Sequence, residues 1–289
     1  MDGIKLDYQI VGQSGPIIVF ENGLGGHYLD WSFVVNEICT DATAILYHRA
    51  GYGNSRSSIS SRTTEQIAKE LKQMLDELGI KNNIILVGHS FGGLCVQHFA
   101  RLYPEQVKAV ILVDSTSADF NSLYSLNLPT LFNHIAIDKL IDKWRALSDK
   151  TDLELLKLME PVLSEEQLGL PREFHKELEE FSVNPTTYGM MAMETAHWTL
   201  SSQQIKNAKD FPDIPLYAIA RDLEKSVKFY TDRGIPAEEA EAYEATWRHL
   251  QIAHSKLTNK GKLIVAHGSD HNVQLEKPEF IINCIRELI

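Results

Sequence analysis

The residues Ile85 to Leu94 run from an apolar stretch through Gly88-His89-Ser90-Phe91-Gly92 into a second apolar stretch. A serine hydroxyl is a poor nucleophile at neutral pH and needs a base to take its proton. Between a buried strand and a helix, Gly-x-Ser-x-Gly forms a sharp, strained turn that exposes the hydroxyl. Gly88 and Gly92 flank the serine because side chains there would collide as strand and helix pack together. The helix that begins after Ser90 aims unpaired N–H groups and its positive dipole end at the same spot. A nucleophile would thus stand beside a ready anion site. The bare pattern arises by chance in roughly one chain in ten of this length. Its context is more informative: "IILV" before it and "LCVQHFARLYP" after it supply the strand and the helix.

Such elements recur along the chain. Ile17 to Phe20, Ala44 to Tyr47, Ile84 to Val87, Val110 to Val113, Leu216 to Ala220 and Leu263 to Ala266 are short apolar runs bounded by turn residues. Strands buried on both faces read this way, which is the pattern of a parallel sheet. Helical patterns separate them. Thr63 and Gln66 form a capping box ahead of an apolar face made by Ile67, Leu71, Met74, Leu75 and Leu78, and Gly79 stops that helix. Pro278 opens a last helix carrying Ile281, Ile282, Ile285 and Leu288. Alternating β and α units predict an α/β fold with a doubly wound, mostly parallel sheet. One region breaks the alternation. Residues 118–211 show helical segments and no clear strand, and predict a helical cap over a core formed by 1–117 and 212–289. Trp198 and Met193 in that segment are expected to help line an apolar pocket. A second helical pattern, Pro236 to Leu257, is rich in charge and is expected to be mostly a solvated face.

Composition narrows the function. The chain has 289 residues, 44% of them apolar and 23% charged, as in an ordinary globule. A net charge of −11 argues against nucleic acid, whose phosphates demand basic patches. Three cysteines, Cys39, Cys95 and Cys284, suggest neither a disulfide framework nor a zinc site. The opening "MDGIKLDYQI" lacks the basic and apolar regions of a leader, and no apolar run is long enough to span a membrane, so a cytoplasmic location is expected. The glycines of "GLGG" do not make the Gly-x-Gly-x-x-Gly of a dinucleotide site. No cofactor and no metal are expected, and the expected partner is a small-molecule substrate.

Four motifs in order resemble the α/β-hydrolase family over nearly the whole chain. "FENGLGG" looks like its oxyanion loop, with Asn22-Gly23 where His-Gly is commoner. "LYHRAGYGNS" resembles its Asp-Arg-x-Gly-x-Gly-x-Ser turn, with His48 in place of aspartate, and "GHSFGG" its nucleophile elbow. "HGSDHNVQLEKPEFI" looks like the C-terminal Gly-x-x-His segment. The resemblance implies Ser90 as nucleophile and His271 as its base, with His267 the rival. His89 is expected to be directed away and to pack or hydrogen-bond locally, and His27, His197 and His254 to be pocket or structural residues. Backbone N–H groups of Leu24 and Phe91 would form the oxyanion hole, with Gly23 letting the loop approach the substrate. The acid that orients the histidine usually follows the strand that here reads "PLYAIA", where Asp222 and Glu224 stand, but the usual glycine is missing. Some family members carry it one strand earlier. "AVILVDST" offers Asp114 there, and Asp114 is the first choice, with Asp222 and Glu224 the alternatives. Aspartate-nucleophile relatives, such as haloalkane dehalogenases and epoxide hydrolases, are disfavoured by the serine. The function expected is that of a carboxylesterase-like serine hydrolase acting on a small or medium apolar acyl group. Lactone, amide or carbon–carbon bond hydrolysis, or service as a small-molecule receptor, are the alternatives.

Overall fold

The computed structural model describes residues 4–56, 61–160 and 162–289. Met1 to Gly3, the head of the stretch read as lacking a leader, and Pro161, inside the helical segment, lie outside them. Seven strands form one sheet in the order β1-β3-β2-β4-β5-β6-β7. They are β1 (Tyr8–Val11), β2 (Ile17–Glu21), β3 (Thr43–Tyr47), β4 (Ile84–His89), β5 (Val107–Val113), β6 (Leu216–Arg221) and β7 (Gly261–Ala266). All neighbours are parallel except β1, which runs antiparallel to β3. Five of the six apolar runs become strands because both faces of the sheet are covered there; the sixth, in β7, lies at the far edge and is only partly buried. Successive side chains point to opposite faces. Ile18, Phe20, Ile85, Val87, Ile111 and Val113 therefore enter one core cluster. Val19, Ile84, Leu86, Val110 and Leu112 enter the other. β1 escapes sequence reading because it is an edge strand whose Tyr8 and Ile10 are exposed, so it needs no apolar run.

The helix Thr64–Glu77 is capped as its sequence implies, with Thr63 Oγ1 accepting from Gln66 N at 3.3 Å. The expected box is only half formed, because the Gln66 amide donates to Glu70 Oε1 at 3.2 Å instead of reaching back. Among the described residues, eight helices and no strand lie between β5 and β6, from Asn121 to Asn207. Leu163, Leu170 and Leu178 of this segment join one core face of the sheet, and other side chains enter two smaller clusters. In one, Leu147, Leu155, Phe181, Tyr188 and Met191 pack on Tyr52. In the other, Phe120, Leu123, Leu128 and Leu131 pack on Ala240, Tyr243, Trp247 and Leu250.

That second cluster corrects the reading of Pro236 to Leu257 as a mostly solvated face. The helix Ala237–His254 buries Ala240, Tyr243, Glu244, Trp247, Leu250, Gln251 and His254. One buried stripe at helical spacing suffices for that, while Glu238 and Glu241 stay in water. Among the described residues no helix is long and apolar enough to cross a membrane.

Candidate active site

β4 delivers Ser90 into a turn that the backbone itself holds. Ser90 has φ +51° and ψ −120°, and its N–H donates to Val113 O on β5 at 3.0 Å. Its carbonyl accepts from Gly93 N and Thr116 N, each at 3.0 Å. A left-handed φ on a residue with a side chain is strained and persists only when its surroundings impose it. A Cβ on Gly88 would lie 2.7 Å from Gly92 O and from Val96, both on the helix Phe91–Leu102. One on Gly92 would lie 2.5 Å from Glu21 O, so the second glycine makes room for the β2 loop rather than for β4.

His271 follows β7 and reaches back over the end of the sheet. Its Nε2 lies 2.9 Å from Ser90 Oγ and its Nδ1 2.6 Å from Asp114 Oδ2. Asp114 stands at the end of β5 with φ +40° and is fully buried. Its Oδ1 accepts from Trp247 Nε1 at 2.8 Å and from Arg221 N at 3.3 Å, and its Oδ2 accepts from Arg221 Nη1 at 3.1 Å. Burial opposes a charge on this carboxyl, but the Arg221 guanidinium, His271 and Trp247 outweigh it and hold Asp114 well below the usual carboxylate range. Arg221 is in turn bound by Glu244, from Nε at 3.0 Å and from Nη2 at 2.5 Å.

The remaining candidates fall elsewhere. Asp222 caps the helix Leu223–Thr231, accepting from Glu224 N and Lys225 N, and also accepts from Gly268 N at 2.8 Å. Glu224 is exposed. His267, with a side chain 81% exposed, lies beside Asp222 at 3.8 Å and away from Ser90. His89 departs from expectation: its Nε2 donates to the carbonyl of His271 at 2.9 Å, so it holds the far loop rather than bonding locally. Burial first, then the charge of His271, pushes its imidazole down to about 3. His197 and His254 bond within their own segments, to Met193 O and Gln251 Oε1, while His27 accepts from Leu29 N and places its Nε2 3.4 Å from Glu177 Oε1.

On the other side of Ser90 lies the loop after β2. Gly23 is required there, because a Cβ would sit 2.8 Å from His89 Nδ1 and 3.3 Å from Ser90 Cβ. Arg49, from the "HRAGYG" turn after β3, donates to the carbonyls of Asn22 at 2.5 Å and Gly23 at 3.0 Å. Its remaining N–H groups go to Glu21 at 2.8 Å and Glu194 at 2.8 and 2.9 Å. With those carbonyls turned to Arg49, the next peptide N–H, that of Leu24, has no acceptor among the described residues. The N–H of Phe91, in the first turn of its helix, has none either.

Two cavities meet at Ser90, Trp198 and His271. The larger, about 730 Å³, is walled by Phe120, Leu123, Tyr124, Tyr230, Tyr243 and Trp247. The smaller, about 420 Å³, is walled by Gly23, Leu24, Trp31, Trp144 and Met191. Trp198 stacks over Phe91 with ring centres 6.0 Å apart and meets the edge of Phe120 at 5.9 Å. Met193 lines neither cavity; Met191, two residues earlier on the helix Pro185–Ala196, does. Among the described residues no cluster of His, Cys, Asp or Glu is placed to hold a metal ion. Sequence reasoning missed Arg49, Arg221, Glu244 and Trp247. Arg49 alone carried a signal, as the arginine inside a recognised motif.

A half-buried serine on a strand–turn–helix at the carboxyl end of a mostly parallel sheet fits a hydrolase of α/β architecture. The chain matches the family model described as "alpha/beta hydrolase fold" over residues 16–278 and belongs to that family. It is 24% identical to the uncharacterized protein YqjL of Bacillus subtilis over 93% of this chain and 82% of that one. Several other curated relatives are matched over only 20% to 40% of their own length. Among solved structures it is similar to a thermophilic esterase from Thermogutta terrifontis, with TM-score 0.63 and 20% identity over 98% of this chain and 92% of that one. It is also similar to a putative epoxide hydrolase from Pseudomonas aeruginosa, with TM-score 0.73 and 14% identity over 99% and 92%. Likeness at such identities is one of fold.

Proposed function

We propose that the protein is a serine hydrolase that cleaves an ester with a small or medium apolar acyl group through an acyl-enzyme. The observation that carries this reading is the unbroken chain Ser90 Oγ–His271–Asp114, with links of 2.9 and 2.6 Å. An imidazole that donates from Nδ1 to Asp114 leaves the lone pair on Nε2 free to accept the Ser90 proton. As Oγ bonds to the ester carbonyl carbon, that proton passes to Nε2, and the carbonyl electrons move onto oxygen. The N–H groups of Leu24 and Phe91 receive this oxyanion. Its collapse breaks the bond to the alcohol oxygen, which takes the proton back from His271. Water, deprotonated by the same nitrogen, then releases the acid and restores Ser90.

Serine at position 90 supports ester chemistry over epoxide opening by an aspartate. The aromatic and aliphatic side chains in the cavity walls, which also carry charged groups such as Arg233 and Glu166, support an apolar acyl group, with Trp198 between the arms. Residues 118–211 act in this reading as a cap, over a core of 1–117 and 212–289. Three unpaired cysteines suit a reducing cytoplasm.

A fluorophosphonate probe, followed by a panel of p-nitrophenyl esters, tests the proposal. Labelling is expected at Ser90 and nowhere else, with turnover of short to medium acyl chains. Turnover confined to lactones or amides would keep the triad and replace the substrate class. Binding without labelling or turnover would overturn the enzyme reading in favour of a receptor.

A further inference from the structure

We propose that Arg221 and Glu244 are a charge-balancing pair that sets the pH at which His271 works as a base. The inference rests on the triad reading and goes beyond it. In a carboxylate–histidine pair the negative charge favours the imidazolium that forms when the hydroxyl gives up its proton. Here Arg221 Nη1 lies 3.1 Å from the same Asp114 oxygen that meets His271, and 3.5 Å from His271 Nδ1 itself. A guanidinium there cancels the charge on Asp114 and repels an imidazolium directly. Left alone, Arg221 would make His271 a weaker base.

It is not left alone. Glu244, 1% exposed, binds Arg221 through both Nε and Nη2. Burial pushes the Glu244 carboxyl up and the Arg221 guanidinium opposes it; with Glu244 ionised, Asp114, Arg221 and Glu244 together carry one net negative charge, the charge of a lone carboxylate. Each member then has a distinct task. A fully buried aspartate resists ionisation, and Arg221 holds it ionised. Glu244 returns to His271 the basicity that Arg221 would remove. Trp247 fixes the geometry, since its N–H holds Oδ1 while its ring faces the Arg221 guanidinium at 4.6 Å. Glu244 and Trp247 both come from the helix Ala237–His254, so the insertion before β7 serves the acid at the end of β5.

Arg248, on the same helix as Glu244, donates from Nη2 to the Arg221 carbonyl at 2.5 Å. His89, from β4, is held to the His271 carbonyl as a neutral ring. His254, on the same helix as Glu244, is also kept neutral by burial, its pKa pushed down to about 4. Tyr230 and Tyr243 face Arg221 as phenols whose ionisation burial opposes. Asp270 accepts from Ser226 Oγ at 2.7 Å, and Glu276 is paired with Lys225. None of these is bonded to both Arg221 and His271.

The test is a set of three variants, Glu244→Gln, Arg221→Met and the double Arg221→Met/Glu244→Met. The His271 ring is titrated by NMR in each, alongside the pH profile of kcat/KM on a p-nitrophenyl ester. Glu244→Gln should move the titration midpoint, and with it the acid limb of the profile, down by about one pH unit. Arg221→Met should move both up by a similar amount, and the double variant should return to within about half a unit of wild type. Opposite signs with cancellation are not produced by a merely structural role. Folded variants whose midpoints stay put, or all move the same way, would overturn the proposal. Should Arg221→Met fail to fold, Glu244→Gln and the double variant still decide it. The ring titrates whether or not an ester is turned over, so a failed ester reading and a failed charge-balance reading give different results.

Discussion

Two buried arginines stand on opposite sides of Ser90, each between two carboxylates. Arg49 binds Glu21 and Glu194, and Arg221 binds Asp114 and Glu244. The resemblance ends at the remaining partners. Arg49 spends all five N–H groups, three on carboxylate oxygens and two on the carbonyls of Asn22 and Gly23. Tyr52 adds a bond to Glu194 at 2.7 Å, and Tyr47 donates to Glu21. That cluster is closed, and its product is geometry: it ties the loop after β2 to the helix Pro185–Ala196. Arg221 makes three bonds to carboxylates and leaves its Nη1 edge beside a ring that can change charge. A saturated cluster transmits shape, and an open one transmits charge.

Between the clusters, Ser90→Ala should have the largest effect. Loss of the nucleophile in such a triad costs about six orders of magnitude in turnover. The expected result is lost ester hydrolysis with an unchanged circular dichroism spectrum, since the hydroxyl is not part of the core. On the open side, Asp114→Asn should cost about four orders of magnitude in kcat, because an amide cannot hold the required tautomer. Asp222→Asn should leave kcat within a few-fold of wild type. Collapse of the Asp222 variant with a healthy Asp114 variant would assign the acid to β6.

Breaking the closed side should look different. Arg49→Met leaves Glu21 and Glu194 buried without their cation, and is expected to cost about 3–5 kcal/mol in urea unfolding. The folded remainder should lose about a hundredfold in kcat as the Leu24 N–H loses its fixed aim. A stable variant with intact kcat would remove Arg49 from the oxyanion loop's support.

The closed side also contains His48, which stacks on Phe181 and lies 4.4 Å, centre to centre, from His27. Burial holds His27 down to about 3 and His48 to about 2. The folded chain therefore keeps both neutral while the unfolded chain protonates them near pH 6.5. Stability is complete above that pH and falls below it, by about 1.4 kcal/mol per pH unit for each such histidine. Unfolding free energies from pH 7 to pH 4 should fall less steeply in His48→Gln, by about that slope. An unchanged slope would mean that His48 is protonated in the folded state.

The smallest effect is expected at Trp198, which touches both cavities and belongs to neither cluster. Trp198→Ala should change the preferred acyl length more than the melting temperature. The reverse pattern would make Trp198 a packing residue between Phe91 and Phe120.

Much of this was legible in the chain. The buried strands announced themselves because both faces of a parallel sheet exclude water, which leaves no freedom for polar residues along the run. Ser90 was legible because a strained turn demands glycines at fixed offsets, and His271 because the last strand ends just before it. β1 was not, since three of its four residues are exposed, whereas β7 at the other edge keeps Leu263 to Ala266 partly or fully buried. Met193 was singled out and Met191 lines the cavity, because a helix with little amphipathic contrast does not reveal which of its methionines faces inward.

Local sequence therefore determined the fold class, the elbow and the order in which serine and histidine occur. Only the tertiary structure decided which carboxylate meets His271. Asp114, Asp222 and Glu224 are equally good acids as residues, and the choice depends on which strand end lies within 2.6 Å of the ring. It decided equally that Arg221 and Glu244 belong to that acid. Their charges act through space at a few ångströms, across 107 residues from Asp114 to Arg221 and 23 more to Glu244, and no spacing in the chain records such a contact.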